Sequence, residues 1–222
     1  MKRPHLGTIS IVDALQDARL IGDQVISTAQ AALLKAVYGL ALSAAELGIF
    51  QRATGCSEYV RRMYRDISVL AGRRSGKTSK ICSNIAVFES CIAAHPLPPT
   101  ERGIVLVAGP VEKQARITFG IILAKIENSP TLSRLIQNIR AGQSESEIQL
   151  SNGIDISVVA AHAKHVRGSN VVCAILEEGC FFRDSDTGVY NLAEVIAAIR
   201  PGMLTIPDSK LVRVSTDRKS VV

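Results

Sequence analysis

An eight-residue segment, Ala71-Gly72-Arg73-Arg74-Ser75-Gly76-Lys77-Thr78, places the strongest restriction on what this chain can fold into. The apolar run 67–70 before it predicts a β-strand, and the pattern from Thr78 to about Ala94 predicts a helix. A strand, a turn ending in Gly-Lys-Thr and a helix are typical, in this order, of a phosphate-binding loop, where backbone amides and the helix dipole face the anion. Ala71 stands where the usual motif has its first glycine, so the match is a variant.

The end of this motif supplies two kinds of chemistry to a bound nucleotide. Lys77 brings a mobile positive charge to the β- and γ-phosphates, and Thr78 brings a hydroxyl that binds Mg²⁺. Hydrolysis also needs acids at the end of a neighbouring strand. The apolar run 172–176 leads directly into Glu177 and Glu178. We therefore expect Glu177 to hold the metal and Glu178 to orient the attacking water, although two adjacent acids after a strand also occur on ordinary surfaces.

Arginine side chains near the γ-phosphate stabilise the charge of the transition state. The candidates are Arg73 and Arg74 within the motif and Arg167 in the tripeptide Val166-Arg167-Gly168. Spacing alone does not choose among them.

Short apolar runs alternate with helical patterns along the chain. The predicted strands after 67–70 are 104–108, 171–176 and 211–215, and the predicted helices are 112–127 and 189–200, the last ended by Pro201-Gly202. Asn152-Gly153 separates two further strand-like segments and predicts a β-hairpin. Residues 9–50 predict a helical lead-in with a break at Gly39. The class is therefore α/β, with a mainly parallel sheet flanked by helices and the hairpin as an insertion.

The positive charge of the chain is concentrated in one segment. The net charge is +6, and residues 52–80 hold eight Lys or Arg against two acids, so this segment alone accounts for the excess. Such a cluster suits a polyanion such as nucleotide or DNA phosphate, although a solvated basic face has the same composition. Arg61, Arg62 and Arg65 within it are candidates for contact with a DNA backbone.

Several classes of protein are disfavoured. No apolar stretch reaches the roughly 20 residues that span a bilayer, so no membrane contact is expected. The five cysteines lack zinc-ligand spacing, which favours reduced thiols in a cytoplasm. His162 and His165 have no third metal ligand at a suitable spacing, so a polar loop is the better interpretation. The motif Gly-x-Ser-x-Gly does not occur, which disfavours acyl-transfer hydrolysis.

An ordered set of motifs resembles the ATPase domain of tailed-bacteriophage terminase large subunits. The set comprises AGRRSGKT, Val166-Arg167-Gly168, the strand ending in Leu176-Glu177-Glu178 and a later strand ending in Ser215-Thr216. The segments LLKAVYGL and IFQRATG are also similar to the lead-in of one subgroup, so the likeness covers about residues 10–216. The resemblance implies a RecA-like P-loop NTPase of the ASCE type that hydrolyses ATP with Mg²⁺.

This resemblance also implies a motor that packages double-stranded DNA into a procapsid. Proteins of the family work as a homo-oligomeric ring on the portal protein, with a small terminase subunit, in the cytoplasm of an infected bacterium. By position, Lys77 and Thr78 match the family's phosphate and metal ligands, and Glu178 matches its catalytic glutamate. Arg167 matches an arginine that in some members reaches the ATP of a neighbouring subunit.

Further assignments depend on the resemblance alone. Ser215 and Thr216 match the motif that couples hydrolysis to movement, and Gln30 matches an upstream glutamine that reads adenine. Because Gly72, Arg73, Arg74, Ser75 and Gly76 lie in the matching loop, they are expected to bind the nucleotide. Glu177 stands where the family usually has Asp, and its extra methylene changes the geometry available to the metal.

The expected organisation is a helical lead-in at 1–55, a P-loop ATPase domain at 56–216 and a non-native tail at 217–222. The family's C-terminal nuclease domain is missing from this sequence, so we expect the chain to be a truncated piece. Two other functions stay open, namely a helicase-like nucleic-acid translocase and a nucleotide-binding module with little turnover.

Overall fold

A seven-stranded sheet forms the centre of the structure, a computed structural model that describes residues 9–142, 145–160, 169–179 and 192–216. The strands are β1 (Asp66–Ala71), β2 (Gly103–Gly109), β3 (Ile136–Ala141), β4 (Glu145–Leu150), β5 (Ile154–Ala160), β6 (Asn170–Glu177) and β7 (Lys210–Thr216). They lie in the order β1-β7-β6-β2-β5-β4-β3. The first five in this order are mutually parallel, and β4 and β3 extend the sheet as antiparallel strands.

Helices precede the sheet and connect its strands. The α-helices of the described residues are α1 (Ile11–Gln16), α2 (Thr28–Val37), α3 (Ala44–Thr54), α4 (Ser83–Cys91), α5 (Glu112–Glu127) and α6 (Leu192–Met203). A π-helical segment, Lys77–Cys82, leads directly into α4, and a short 3₁₀ turn spans Leu132–Leu135. Across the described ranges, no helix is both long enough and apolar enough to cross a bilayer.

Both faces of the sheet are covered by helices. On β2, Val105 and Val107 join the apolar core that contains α4 and α5, whereas Leu106 and Ala108 join a second core under α6. All four of these side chains are buried. A strand with two covered faces needs apolar residues at consecutive positions, which explains the unbroken runs in the sequence. The predicted α/β class with a mainly parallel sheet is confirmed.

The structure departs from the sequence prediction at three elements. β3 was not predicted, because five of its six residues are exposed and the strand therefore lacks an apolar run. The predicted hairpin is confirmed as the antiparallel pair β4 and β5, but its second arm, β5, also belongs to the parallel sheet, where it is buried and pairs with β2. α6 does not end before Pro201 but continues to Met203. A proline in the last turn removes only one backbone hydrogen bond, so the helix tolerates it there.

The helical lead-in is tied to the sheet by a buried polar cluster. The Tyr38 hydroxyl, at the end of α2, donates a 2.6 Å hydrogen bond to Glu89 of α4. Glu89 also pairs at 3.1 Å with the Lys210 ammonium at the start of β7, and both charged side chains are almost fully buried. The predicted break at Gly39 is present, with φ at +66°, and a side chain there would collide with the backbone of Arg62.

Candidate nucleotide-binding site

The 71–78 loop joins the end of β1 to the π-helical segment, as a phosphate-binding loop requires. Its backbone turns through two left-handed residues, Arg74 at φ +62° and Gly76 at φ +79°. A Cβ on Gly76 would lie 2.9 Å from the amide nitrogen of Gln30 and 3.0 Å from the side chain of Lys80, so glycine is required on both conformational and steric grounds. The amides of the first helical turn remain available to an anion in such an arrangement.

Gln30 connects the lead-in to this loop. Its Nε2 donates a 2.8 Å hydrogen bond to the carbonyl of Ser75, and its Oε1 accepts a 2.8 Å bond from the amide of Ser27. The second bond is half of a capping box that begins α2. Both the oxygen and the nitrogen of the Gln30 side-chain amide are therefore hydrogen-bonded within the protein. The role of Gln30 in reading adenine stays a prediction, and it would require one of these bonds to be exchanged.

The Lys77 ammonium lies between the loop and the predicted catalytic glutamate. Its Nζ donates to the carbonyls of Ala71 and Gly72 at 3.2 and 3.0 Å, and it lies 3.9 Å from Oε1 of Glu178. The Lys77 side chain is only 10% exposed. The two residues are 101 positions apart in sequence, yet parallel strands bring them to the same edge of the sheet. The groups predicted to bind phosphate and to orient water are thus adjacent.

Glu178 is held in place by the end of β7. The Thr216 hydroxyl lies 2.8 and 2.9 Å from the two carboxylate oxygens and donates to them, and the Thr216 amide donates a further 3.2 Å bond. Glu178 has φ at +51°, a conformation that costs a non-glycine residue roughly 1–2 kcal/mol. The hydrogen bonds from Thr216 offset this strain. Thr216 was predicted as a coupling residue, and here it contacts the carboxylate that would orient water.

Glu177, the preceding residue, points to a different neighbour. It is 2% exposed, and its Oε2 accepts a 2.5 Å hydrogen bond from the hydroxyl of Thr118 in α5. Its Oε1 is buried and has no hydrogen-bond partner among the described residues. The Cys82 thiol lies beside this carboxylate, and burial together with the negative charge of Glu177 raises its pKa well above the ordinary value. The thiol therefore stays neutral and adds no second negative charge.

The hydroxyl of Thr78 is also approached by α5. Nε2 of Gln114 lies 3.4 Å from Thr78 Oγ1. Gln114 and Thr118 are one helical turn apart, so a single face of α5 contacts both predicted metal ligands. These two residues were missed in the sequence analysis. The available signal was a buried threonine among the apolar residues of α5, such as Ala115 and Phe119.

A cavity of about 430 Å³ opens at the 71–78 loop. Its polar lining includes the guanidinium groups of Arg73 and Arg74, the Lys77 ammonium and the Glu178 carboxylate. Three cations against one anion favour a polyphosphate. Ile117 of α5 lines the same cavity and is 47% exposed, so an apolar surface is also available to a ligand.

A divalent cation fits the residues present. Mg²⁺ prefers oxygen ligands and usually binds one or two carboxylates together with phosphate oxygens. Oε1 of Glu177 is a buried carboxylate oxygen without a hydrogen-bond partner in the described ranges, which is the donor that such an ion requires. The hydroxyl of Thr78 offers a second oxygen near the other end of the same α5 face. No separate cluster of three His, Cys, Asp or Glu residues is found within the described residues.

The other predicted residues divide into two groups. Ser215 lies in β7 next to Thr216 and is buried. Arg167, His162 and His165 lie outside the described residues, so their predicted roles stay predictions.

Part of the basic segment is used within the fold. The guanidinium group of Arg65 donates to the carbonyls of Ile206 and Ser209 and to the Ser209 hydroxyl, which fixes the turn before β7. Arg62 lies over the ring of Tyr64 at 5.1 Å. Arg73 and Arg74 remain exposed at the cavity. Arg52, Arg61 and Arg62 are exposed as well, so the positive charge open to a polyanion is not confined to the 71–78 loop.

Comparison with known proteins supports the fold. No family model matches the sequence, and no curated protein matches it. The HK97 bacteriophage large terminase is similar in structure, with a TM-score of 0.62 and 16% identity over 93% of this chain and 37% of that chain. The ATPase domain of the Thermus phage P74-26 large terminase gives a TM-score of 0.46 and 20% identity over 75% of this chain and 67% of that chain.

A variant of S. cerevisiae Dbp5 bound to RNA and ADP BeF3 gives a TM-score of 0.48 and 13% identity over 95% of this chain and 45% of that chain. The chain spans little more than a third of the HK97 protein. At these identities the likeness concerns the fold, and at that level the resemblance expected from the sequence motifs is confirmed. Over the part that it covers, the chain has the fold of the HK97 bacteriophage large terminase.

Proposed function

We infer that this chain is the ATP-hydrolysing motor of a terminase large subunit that drives double-stranded DNA packaging into procapsids. One observation carries the proposal, namely the 3.9 Å approach of the Glu178 carboxylate to the Lys77 ammonium beside the 71–78 loop. In-line attack of water on a γ-phosphate requires a cation that binds the phosphate and a group that positions the water, and a carboxylate can do the second.

Each residue has a defined part in this chemistry. The loop amides, Arg73 and Arg74 bind the phosphate oxygens, and Lys77 neutralises charge on the β- and γ-phosphates. Glu178, fixed by Thr216, accepts a hydrogen bond from the attacking water and aligns it. Thr78 and Glu177 would hold Mg²⁺, which when bound neutralises the negative charge of the phosphates.

The proposed oligomer and partners are inferred from the resemblance to terminase large subunits. We propose a homo-oligomeric ring that acts on the portal protein, receives DNA with a small terminase subunit, and works in the cytoplasm of an infected bacterium. Arg167 is the candidate for charge stabilisation across a subunit interface, and Gln30 for reading adenine. The exposed positive charge of the loop region is the candidate contact for phosphate.

Steady-state ATP hydrolysis tests the proposal. The wild-type chain, Glu178→Ala and the control Glu127→Gln, which alters an exposed acid at the end of α5, are compared with saturating Mg²⁺. Loss of the water-orienting group should lower kcat about 10²- to 10⁴-fold, while the control stays within about twofold of wild type. Equal and negligible rates for wild type and Glu178→Ala would contradict hydrolysis and favour a binding module.

Three further measurements separate the motor from its alternatives. Affinity for double-stranded DNA should fall as salt rises, because released counterions drive phosphate contacts. Strand separation without a procapsid would favour a helicase-like translocase. Mixing Arg167→Ala subunits with Glu178→Ala subunits should restore turnover if the arginine acts across an interface, and absence of rescue would contradict that role.

A further inference from the structure

We propose that one face of α5 positions the metal ligands of the site, with Thr118 orienting Glu177 and Gln114 orienting Thr78. This proposal rests on the proposed function, because it concerns the Mg²⁺ that ATP hydrolysis would use. Neither residue touches the 71–78 loop backbone or Glu178 through any described hydrogen bond. Both are therefore positioning residues.

The contact between Thr118 and Glu177 is buried on both sides. Thr118 is fully buried, Glu177 is 2% exposed, and their oxygens lie 2.5 Å apart. Such a short distance is typical of a hydroxyl donating to an ionised carboxylate. With Oε2 fixed by this bond, the remaining oxygen of Glu177 has one orientation, which a metal site requires.

The single proton of the Thr118 hydroxyl is committed to the carboxylate. Its oxygen also lies 3.2 Å from the carbonyl of Gln114, the usual position for a helical threonine to donate backwards. The charged acceptor at 2.5 Å is the stronger of the two. The Thr118 side chain therefore contacts both Glu177 and the backbone of Gln114. The side chain of Gln114 in turn contacts the hydroxyl of Thr78.

The charge at Glu177 independently indicates a cation. Its carboxylate has no ion-pair partner in the described part of the chain. The Cys82 thiol, a weak donor, lies against it, and Oε1 has no hydrogen-bond partner of ordinary geometry among the described residues. A buried carboxylate with one satisfied oxygen and one bare oxygen is costly unless a cation binds it. Thr118 therefore leaves one oxygen for a metal rather than saturating the group.

Metal binding can be measured apart from hydrolysis. Mn²⁺, which has an electron paramagnetic resonance signal, replaces Mg²⁺ as the probe, and a fluorescent ADP reports nucleotide binding with and without chelator. Thr118→Val removes the hydroxyl with little change of shape, and Thr118→Ser retains it. Ser90→Ala is the matched control, because it removes another buried hydroxyl from α4 that donates to the carbonyl of Val87.

We expect Thr118→Val to weaken Mn²⁺ binding in the ADP complex by about 10- to 100-fold, the usual effect of losing a group that orients a metal ligand. Thr118→Ser should restore binding to within about threefold of wild type, and Ser90→Ala should leave it unchanged. Affinity for ADP in chelator should stay within about twofold in every variant, because the loop that binds phosphate is intact. Gln114→Leu should weaken Mn²⁺ binding in the same direction.

Three results would overturn the proposal. One is wild-type Mn²⁺ affinity in Thr118→Val. Another is an equal loss of metal-free ADP binding, which would indicate general damage to the fold. A third is a wild-type chain whose ADP binding is unaffected by Mn²⁺, which would also remove the metal from the proposed function. If metal binding behaves as expected but ATP is not hydrolysed, the proposed function fails while the roles of Thr118 and Gln114 stand.

Discussion

Replacing Thr216 with valine removes one hydroxyl from the site and leaves its shape nearly unchanged. That hydroxyl lies 2.8 and 2.9 Å from the two oxygens of Glu178, whose side chain is 26% exposed. Hydrogen bonds to charged groups contribute about 1.5–3 kcal/mol. The amide of Thr216 keeps its own 3.2 Å bond to Glu178, so the lower half of that range applies. If the activation free energy rises by about 1.5–2 kcal/mol because Glu178 is less well aligned, kcat falls about 10- to 30-fold.

A coupled ATPase assay measures this effect with Thr216→Ser as the control. The serine variant keeps the hydroxyl and should retain most of the rate. The KM for ATP should change less than about twofold in both variants, since Lys77 and the loop are untouched and uniform binding is preserved. A Thr216→Val enzyme with wild-type kcat would refute the reasoning, because Glu178 would then be aligned without the bond that the structure describes.

Lys210→Met should leave Glu89 buried without its cation and lower the free energy of unfolding in urea by about 3–5 kcal/mol. Gln30→Ala should weaken ADP binding by about 2- to 10-fold, because the Ser75 carbonyl loses a neutral hydrogen bond worth about 0.5–1.5 kcal/mol. Burial opposes ionisation of Asp23, but hydrogen bonds from two lysines lower its pKa overall. Asp23→Asn should therefore be less stable than wild type at neutral pH, and the difference should shrink as pH falls below about 4 in an acid titration.

Each of these expectations has a contrary result, and the first also has a control variant. Lys35→Met, which breaks a less buried ion pair, should cost less than Lys210→Met, and equal losses would contradict the argument from burial. Unchanged ADP affinity in Gln30→Ala would mean that the loop keeps its shape without the lead-in. A stability difference for Asp23→Asn that persists undiminished below about pH 3 would show that it does not arise from ionisation of the carboxylate.

Three inner strands of the parallel sheet, β2, β6 and β7, could be predicted because they are buried on both faces. β2, β6 and β7 have apolar residues at consecutive positions, and that pattern is local. β3 could not be predicted in this way, since its exposed residues carry no apolar run and its pairing with β4 is a tertiary contact. The order of strands, with β1 at the edge beside β7, is likewise a property of the assembled sheet.

Site residues that adjoin a strand in sequence could be predicted, whereas those that reach the site through tertiary contacts could not. The turn around Lys77 and the acids Glu177 and Glu178 follow strands directly, so their positions could be inferred. Thr118 and Gln114 lie in the first two turns of α5, and no sequence spacing relates them to the end of β6. The contact of Glu177 with a hydroxyl of α5 is a tertiary contact that the resemblance, which implies aspartate at this position, does not predict.

The pleat of β6 determines which neighbour each of two chemically identical acids, Glu177 and Glu178, contacts. Successive side chains of a strand leave on opposite sides, so Glu177 goes toward α5, and Glu178, one step beyond the ladder, turns to the tip of β7. β6 is bonded to a parallel neighbour on each side, which prevents it from sliding. Inserting a single residue within the strand would therefore bring Glu177 to the position of Glu178 and place Leu176 on the side that faces α5, so that side would lose its carboxylate.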